Sequence, residues 1–143
     1  MNDVVVPVNY AAVFGTAVLS MILGYLWYGP LFGKAWMKEM GLTKEKMESD
    51  KKDMGKSYGL MFVGSLIMAY VLAHALVFTS TYMQVSGSSA GVSVGFWNWL
   101  GFVAPVTFGS VLWEKKSMKL WALNNGYYLV TLMAMGVVLA SYV

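Results

Sequence analysis

Three stretches of this chain carry no Asp, Glu, Lys or Arg: Val4 to Gly33, Ser57 to Trp113, and Leu120 to Val143. A bilayer's hydrocarbon core takes about 20 apolar residues per helix. The first and last stretches therefore hold one span each. The middle one holds two, divided by the polar, small-residue run from Ser80-Thr81 through Ser86-Gly87-Ser88-Ser89-Ala90-Gly91. The spacing predicts spans at about 9–29, 58–79, 93–113 and 120–142. With 58% of its 143 residues hydrophobic and 12% charged, against about 25% charged in a soluble domain, the chain has more apolar surface than one small aqueous core can hide. The expected fold class is an all-α membrane protein, a single domain over residues 1–143 with four transmembrane helices in a bundle.

Lysine placement sets an expected orientation. All seven lysines from Lys34 to Lys56 lie between spans one and two, and Lys115, Lys116 and Lys119 lie between spans three and four. The positive-inside rule makes both loops cytoplasmic and puts both termini outside. Tryptophan and tyrosine agree, with Trp27, Tyr28, Tyr58, Trp113 and Trp121 at the inner boundary and Tyr10, Tyr82, Trp97, Trp99 and Tyr142 at the outer one. Span one is not expected to be a cleaved signal peptide, since Asp3 is its only nearby charge and no small-residue cleavage site ends it.

The first cytoplasmic connection predicts two helical pieces. Pro30 is placed to start one, with Leu31, Phe32, Ala35, Trp36 and Met40 opposite Lys34, Lys38 and Glu39, which reads as a short amphipathic helix in the headgroup plane. The second is a polar helix over 43–53, with Thr43 as N-cap and the pairs Lys44/Glu48 and Glu48/Lys52 four residues apart.

Close packing in lipid depends on small side chains and hydrogen bonds. Span one offers Ala12, Thr16, Ser20 and Gly24 on one stripe, span two Ser65, Ala69 and Ala73, and span three Gly101, Pro105 and Gly109. Pro105 has no amide hydrogen, so a bend near the middle of span three is expected.

Candidates for chemistry are few. The chain has no cysteine, which excludes disulfides and thiolate metal sites. It has lysines but no arginine, so a net charge of +3 reads as sidedness rather than nucleic-acid binding. No carboxylate is embedded in a span, which removes the residue that small proton-coupled antiporters depend on. Glu114 reads as an interfacial residue paired with Lys115 and Lys116. His74 and Asn98 each lie roughly 7.5 Å inside the outer ends of their spans, and with Trp97 and Trp99 they form a candidate polar site at the outer face. Thr107 and Ser110 match Asn124 and Asn125 in depth, and with Tyr128 they form a candidate site at the inner face. Both sets also suit plain helix-to-helix hydrogen bonding. No catalytic constellation, metal-ligand set or cofactor motif is present, so no catalytic residues, metal or cofactor are expected.

The run Gly24-Tyr-Leu-Trp27-Tyr28-Gly29-Pro30-Leu-Phe-Gly33-Lys34-Ala-Trp36-Met37, with Gly101-Phe-Val-Ala-Pro105, Leu123-Asn124-Asn125-Gly126-Tyr127-Tyr128 and Met135-Gly136, resembles the small bacterial membrane proteins grouped as domain of unknown function 1761. The resemblance covers nearly the whole chain. It implies a four-span protein of the bacterial inner membrane and no established activity. The family pattern often has Ser at the position of Gly29 and His at that of Tyr128, so the resemblance does not carry over a histidine role in span four.

Three function classes follow. The first, preferred, is a non-catalytic bundle in the lipid bilayer that binds lipid or a small ligand, or supports a membrane partner protein. The second is a small permeation protein acting as a homodimer or larger homo-oligomer. The third is a subunit of a membrane enzyme, with His74 its sole candidate.

Overall fold

The computed structural model describes residues 5–143; Asp3 and Val4, noted above, lie outside them. Among the described residues there are helices and no strands. Helix α1 is Tyr10–Leu26, followed by a π-helical turn at Trp27–Leu31. Then come α2 (Gly33–Met40), α3 (Lys44–Ser49), α4 (Lys51–Met83) and α5 (Gly87–Asn98), a second π turn at Trp99–Val103, α6 (Ala104–Leu112) and α7 (Met118–Ala140). Three helical stretches are long and apolar enough to cross a membrane: Tyr10–Leu31, Lys51–Met83 and Met118–Ala140. The segment from α5 to α6 is interrupted by the second π turn.

Local chemistry explains most boundaries. The Asn9 side chain caps α1 by accepting from the Ala12 amide at 3.0 Å, and Ser117 caps α7 by accepting from the Leu120 amide at 3.0 Å. Thr43 caps α3 as its sequence position suggests. The polar helix nevertheless stops at Ser49, and Lys51, Lys52 and Asp53 open α4 instead, so Glu48 and Lys52 lie on either side of a break at Asp50. Pro30 sits inside the first π turn rather than starting α2, which begins at Gly33 and ends on Gly41 in the left-handed region, φ 67°. The polar run expected to be a loop is largely helical. Only Gln84–Ser86 separate α4 from α5, with Gln84 (φ 54°) and Gly87 (φ 71°) making the reversal.

Helix α7 is the common partner. It packs against α1, α4, α5, α6 and α2. The stripes of the first two long helices lie in the interior: Ala12, Thr16, Ser20, Ser65, Ala69 and Ala73 are all buried. Gly24 leaves room for the Tyr127 side chain, whose hydroxyl donates to the Ser20 carbonyl at 2.9 Å. Gly126 does the same for the Trp27 indole, which donates to the Leu123 carbonyl at 3.1 Å.

The tightest approach joins α5 to α7. A Cβ on Gly91 would collide with the Gly136 backbone, and one on Gly95 with the backbone at Leu132. Glycines four apart that admit a neighbouring backbone are a recurrent device for packing helices in lipid. Gly91 belongs to the polar run that the sequence pattern sets between two spans, and Gly95 lies within the expected third span off its Gly101-Pro105-Gly109 stripe.

The third stripe behaves differently. Gly101 and Pro105 are exposed, while Ala104 is buried and Thr107 half-buried. The cause is the π turn. Pro105 offers no amide to the Gly101 carbonyl, and the chain widens just before it, the Ala104 amide reaching five residues back to the Trp99 carbonyl. One extra residue per turn shifts the helical phase by about 100°, so the face inward in α5 continues through Ala104 and Thr107 rather than Gly101 and Pro105.

Candidate functional site

After the tight crossing at Gly91 and Gly95, α6 buries only Ala104. The space left between α6 and α7 is a cavity of about 540 Å³ at the lysine-bearing end, with Met40 of α2 also in its wall. Thr107, Ser110, Asn124, Asn125 and Tyr128, the inner-face set read from the sequence, all line it. The remaining wall includes Trp113, Trp121, Val106 and Leu120, with Glu114 and Lys116.

A fixed network holds the deep side. The Thr107 hydroxyl donates to the Val103 carbonyl at 2.7 Å and accepts from Trp121 Nε1 at 3.2 Å and Asn125 Nδ2 at 2.9 Å. Asn125 Nδ2 also donates to the Trp121 carbonyl at 3.1 Å, which fixes the orientation of the amide, because that carbonyl can only accept. Asn125 Oδ1 lies 3.2 Å from Thr107 Oγ1. A hydroxyl has one hydrogen, and the shorter bond to Val103 takes it. Asn125, 2% exposed, thus keeps an acceptor that the Thr107 hydroxyl serves only as its longer contact.

Asn124 has the opposite bias. Its Oδ1 accepts from the Tyr28 hydroxyl at 2.8 Å, and its Nδ2 has no protein partner among the described residues. Tyr28 is held by Trp36 and Tyr127, with ring centroids 5.6 and 5.2 Å away. Adjacent residues on one helix therefore present an acceptor and a donor. The Ser110 and Tyr128 hydroxyls make no side-chain bonds to the described residues.

Charged groups at this end are arranged differently from expectation. Glu39 does not face solvent alone: its Oε2 accepts from the Ser117 hydroxyl at 2.7 Å, and its Oε1 lies 3.7 Å from Lys119 Nζ. This ties α2 to the start of α7. Among the described residues no ion pair joins Glu114 to Lys115 or Lys116. Lys115 instead donates to the Leu112 carbonyl at 3.3 Å.

The outer-face set is divided. Trp97 and Asn98 line a second cavity of about 330 Å³ with Thr79, Ser89 and Ser93. Trp99 turns away and packs against the buried core, its Nε1 buried without a partner among the described residues. His74 is outside that cavity. Its Nδ1 lies 2.8 Å from the Tyr70 carbonyl and its ring 4.3 Å from the Tyr70 ring, while Asn98 Nδ2 donates to the Val94 carbonyl at 2.8 Å. Each residue bonds to a carbonyl of its own helix, and no bond joins the two across helices.

Together these features define an all-helical protein with three helices suited to crossing a membrane and a polar cleft between its last two helices. A family model described as "Protein of unknown function (DUF1761)" matches residues 11–140, and the chain belongs to that family. No curated protein and no solved structure matched it.

Proposed function

We propose that this chain is a four-span, non-catalytic protein of the bacterial inner membrane that holds the polar head of an amphipathic molecule in the cleft between α6 and α7. The observation that carries the reading is the unspent hydrogen-bonding capacity there: Asn124 Nδ2, Ser110 and Tyr128 as donors and Asn125 Oδ1 as acceptor, beside tryptophans and aliphatic walls. Small-molecule sites combine apolar walls with a few placed polar groups in this way. Purified in mild detergent, the chain should retain an adduct of lipid or ligand mass in native mass spectrometry. Ser110→Leu, which fills the cleft, should lose it while keeping the elution volume of the parent. An adduct indifferent to Ser110→Leu would place the binding elsewhere.

The segment Gly87–Leu112 is the fourth span in this reading. Its support is the length of helix on both sides of the π turn and its packing along α7. Lysine placement supports cytoplasmic loops at 34–56 and 114–119, with both termini outside. The chain lacks cysteine, so single cysteines give background-free labelling. In intact cells an impermeant thiol reagent should label Ser88→Cys and spare Ser49→Cys until the membrane is opened. Labelling of Ser49→Cys from outside would reverse the orientation.

A further inference from the structure

We propose that the head held in the α6–α7 cleft is zwitterionic, an ammonium and a phosphate on one lipid, as in phosphatidylethanolamine; the inference rests on the cleft reading above. The charges that line the cavity are one carboxylate, Glu114, and one ammonium, Lys116, two residues apart where α6 gives way to the turn before α7. Neither makes an ion pair or a side-chain hydrogen bond with the described residues, although carboxylates and lysines lie nearby. Glu39 has taken Lys119 and Ser117, and Lys115 has turned to a helix end. The cleft therefore keeps one unmatched charge of each sign.

The uncharged lining repeats this duality. Asn125 Oδ1, on a residue 2% exposed, can only accept, and the hydroxyl within its reach, Thr107 at 3.2 Å, makes its shorter bond to the Val103 carbonyl. Asn124 Nδ2 can only donate and has no acceptor. A ligand bearing N–H donors beside anionic oxygens satisfies both ends. A purely anionic head would leave Glu114 facing like charge and bring no N–H to the Asn125 oxygen. A quaternary ammonium would bring no N–H to either.

The apolar surroundings favour a lipid over a free metabolite. Trp113, Val106 and Leu112 are exposed along α6, and Phe102 continues the apolar surface from the π turn. Acyl chains can lie along this surface while the head occupies the cleft.

The test is competition in nanodiscs holding equal parts of phosphatidylethanolamine, phosphatidylcholine and phosphatidylglycerol with identical acyl chains. Retained lipid is read by native mass spectrometry after extraction. Phosphatidylethanolamine is expected to exceed each of the others by about tenfold, the scale of one charge-assisted hydrogen bond. Glu114→Gln should abolish its advantage over phosphatidylglycerol. Lys116→Gln should lower retention of both phosphatidylethanolamine and phosphatidylglycerol. Both substitutions sit on exposed residues, and an unchanged elution profile verifies the fold.

Equal retention of the three lipids, or preference for phosphatidylglycerol or phosphatidylcholine, overturns the inference. If retention still falls in Ser110→Leu, the cleft reading survives that result; if Ser110→Leu changes nothing, both fail. Soluble phosphoethanolamine at millimolar concentration should not displace the lipid. Displacement would identify a free zwitterion as the ligand and overturn the assignment to a membrane lipid.

Discussion

Gly91→Ala and Gly136→Ala should each destabilise the folded protein by about 1–3 kcal/mol, the usual cost of forcing extra atoms into a close-packed contact. Both changes add a single methyl group. At Gly91 that methyl has nowhere to go, because the atoms it meets are the backbone of Gly136 and Val137, not a side chain that could rotate away. The helices would have to separate along the tightest crossing in the molecule, which also buries Ala90, Val94 and Met135. The control is Gly101→Ala, where nothing lies within 4 Å of the new methyl; it should change stability by no more than about 0.5 kcal/mol, as surface substitutions do. Detergent-solubilised protein is heated and the monodisperse fraction read by size-exclusion chromatography. An equal effect at Gly91 and Gly101 would refute the close crossing.

Asn125→Leu should cost about 1–3 kcal/mol, since it removes two hydrogen bonds in a buried network between α6 and α7. Thr107 loses one of its donors, and the Trp121 carbonyl loses its side-chain donor. Thr107→Val alone should also destabilise, by stranding Trp121 Nε1 and one of the two Asn125 Nδ2 hydrogens. The double variant Asn125→Leu with Thr107→Val should cost less than the sum, because each single change leaves partners unsatisfied that the other removes. The same heating assay gives the cycle. Strict additivity would mean that the two side chains do not interact.

The distribution of charge carried a good deal of this structure in advance. The three helical stretches able to cross a membrane fall within charge-free sequence except for the first turns of α4, where Lys51, Lys52, Asp53 and Lys56 lie, and the first turn of α7, which holds Lys119. Caps at Thr43 and the buried stripes of α1 and α4 follow simple periodicity. The cleft lining was legible for a related reason. Depth along a helix is set by residue count, so matching Thr107 and Ser110 to Asn124 and Asn125 needed no tertiary information.

What the sequence concealed has equally physical causes. Ser86 to Gly91 is rich in loop-forming residues, yet Gly91 sits in a helix whose close approach to α7 needs its missing side chain, while Gly87 makes the reversal at the start of that helix. His74 and Asn98 match in depth, but a helical side chain always has the carbonyl four residues back within reach, and both use it. Tyr28 reads as one more interfacial aromatic; its bond to Asn124, 96 residues away, depends on how α1 and α7 pack. The same holds for Glu39, which looks solvated on α2 and is claimed by Ser117 and Lys119.

The π turn at Trp99–Val103 makes the cleft a matter of counting as well as composition. Deleting one residue from that turn would keep every side chain of the lining and yet rotate α6 by about 100° relative to α5, swinging Thr107 and Ser110 away from Asn125 and out of the cleft. Within this family, then, a one-residue gap in that segment would carry more meaning than several substitutions. Chains aligned across it by residue identity alone would have the wrong faces of the helix paired.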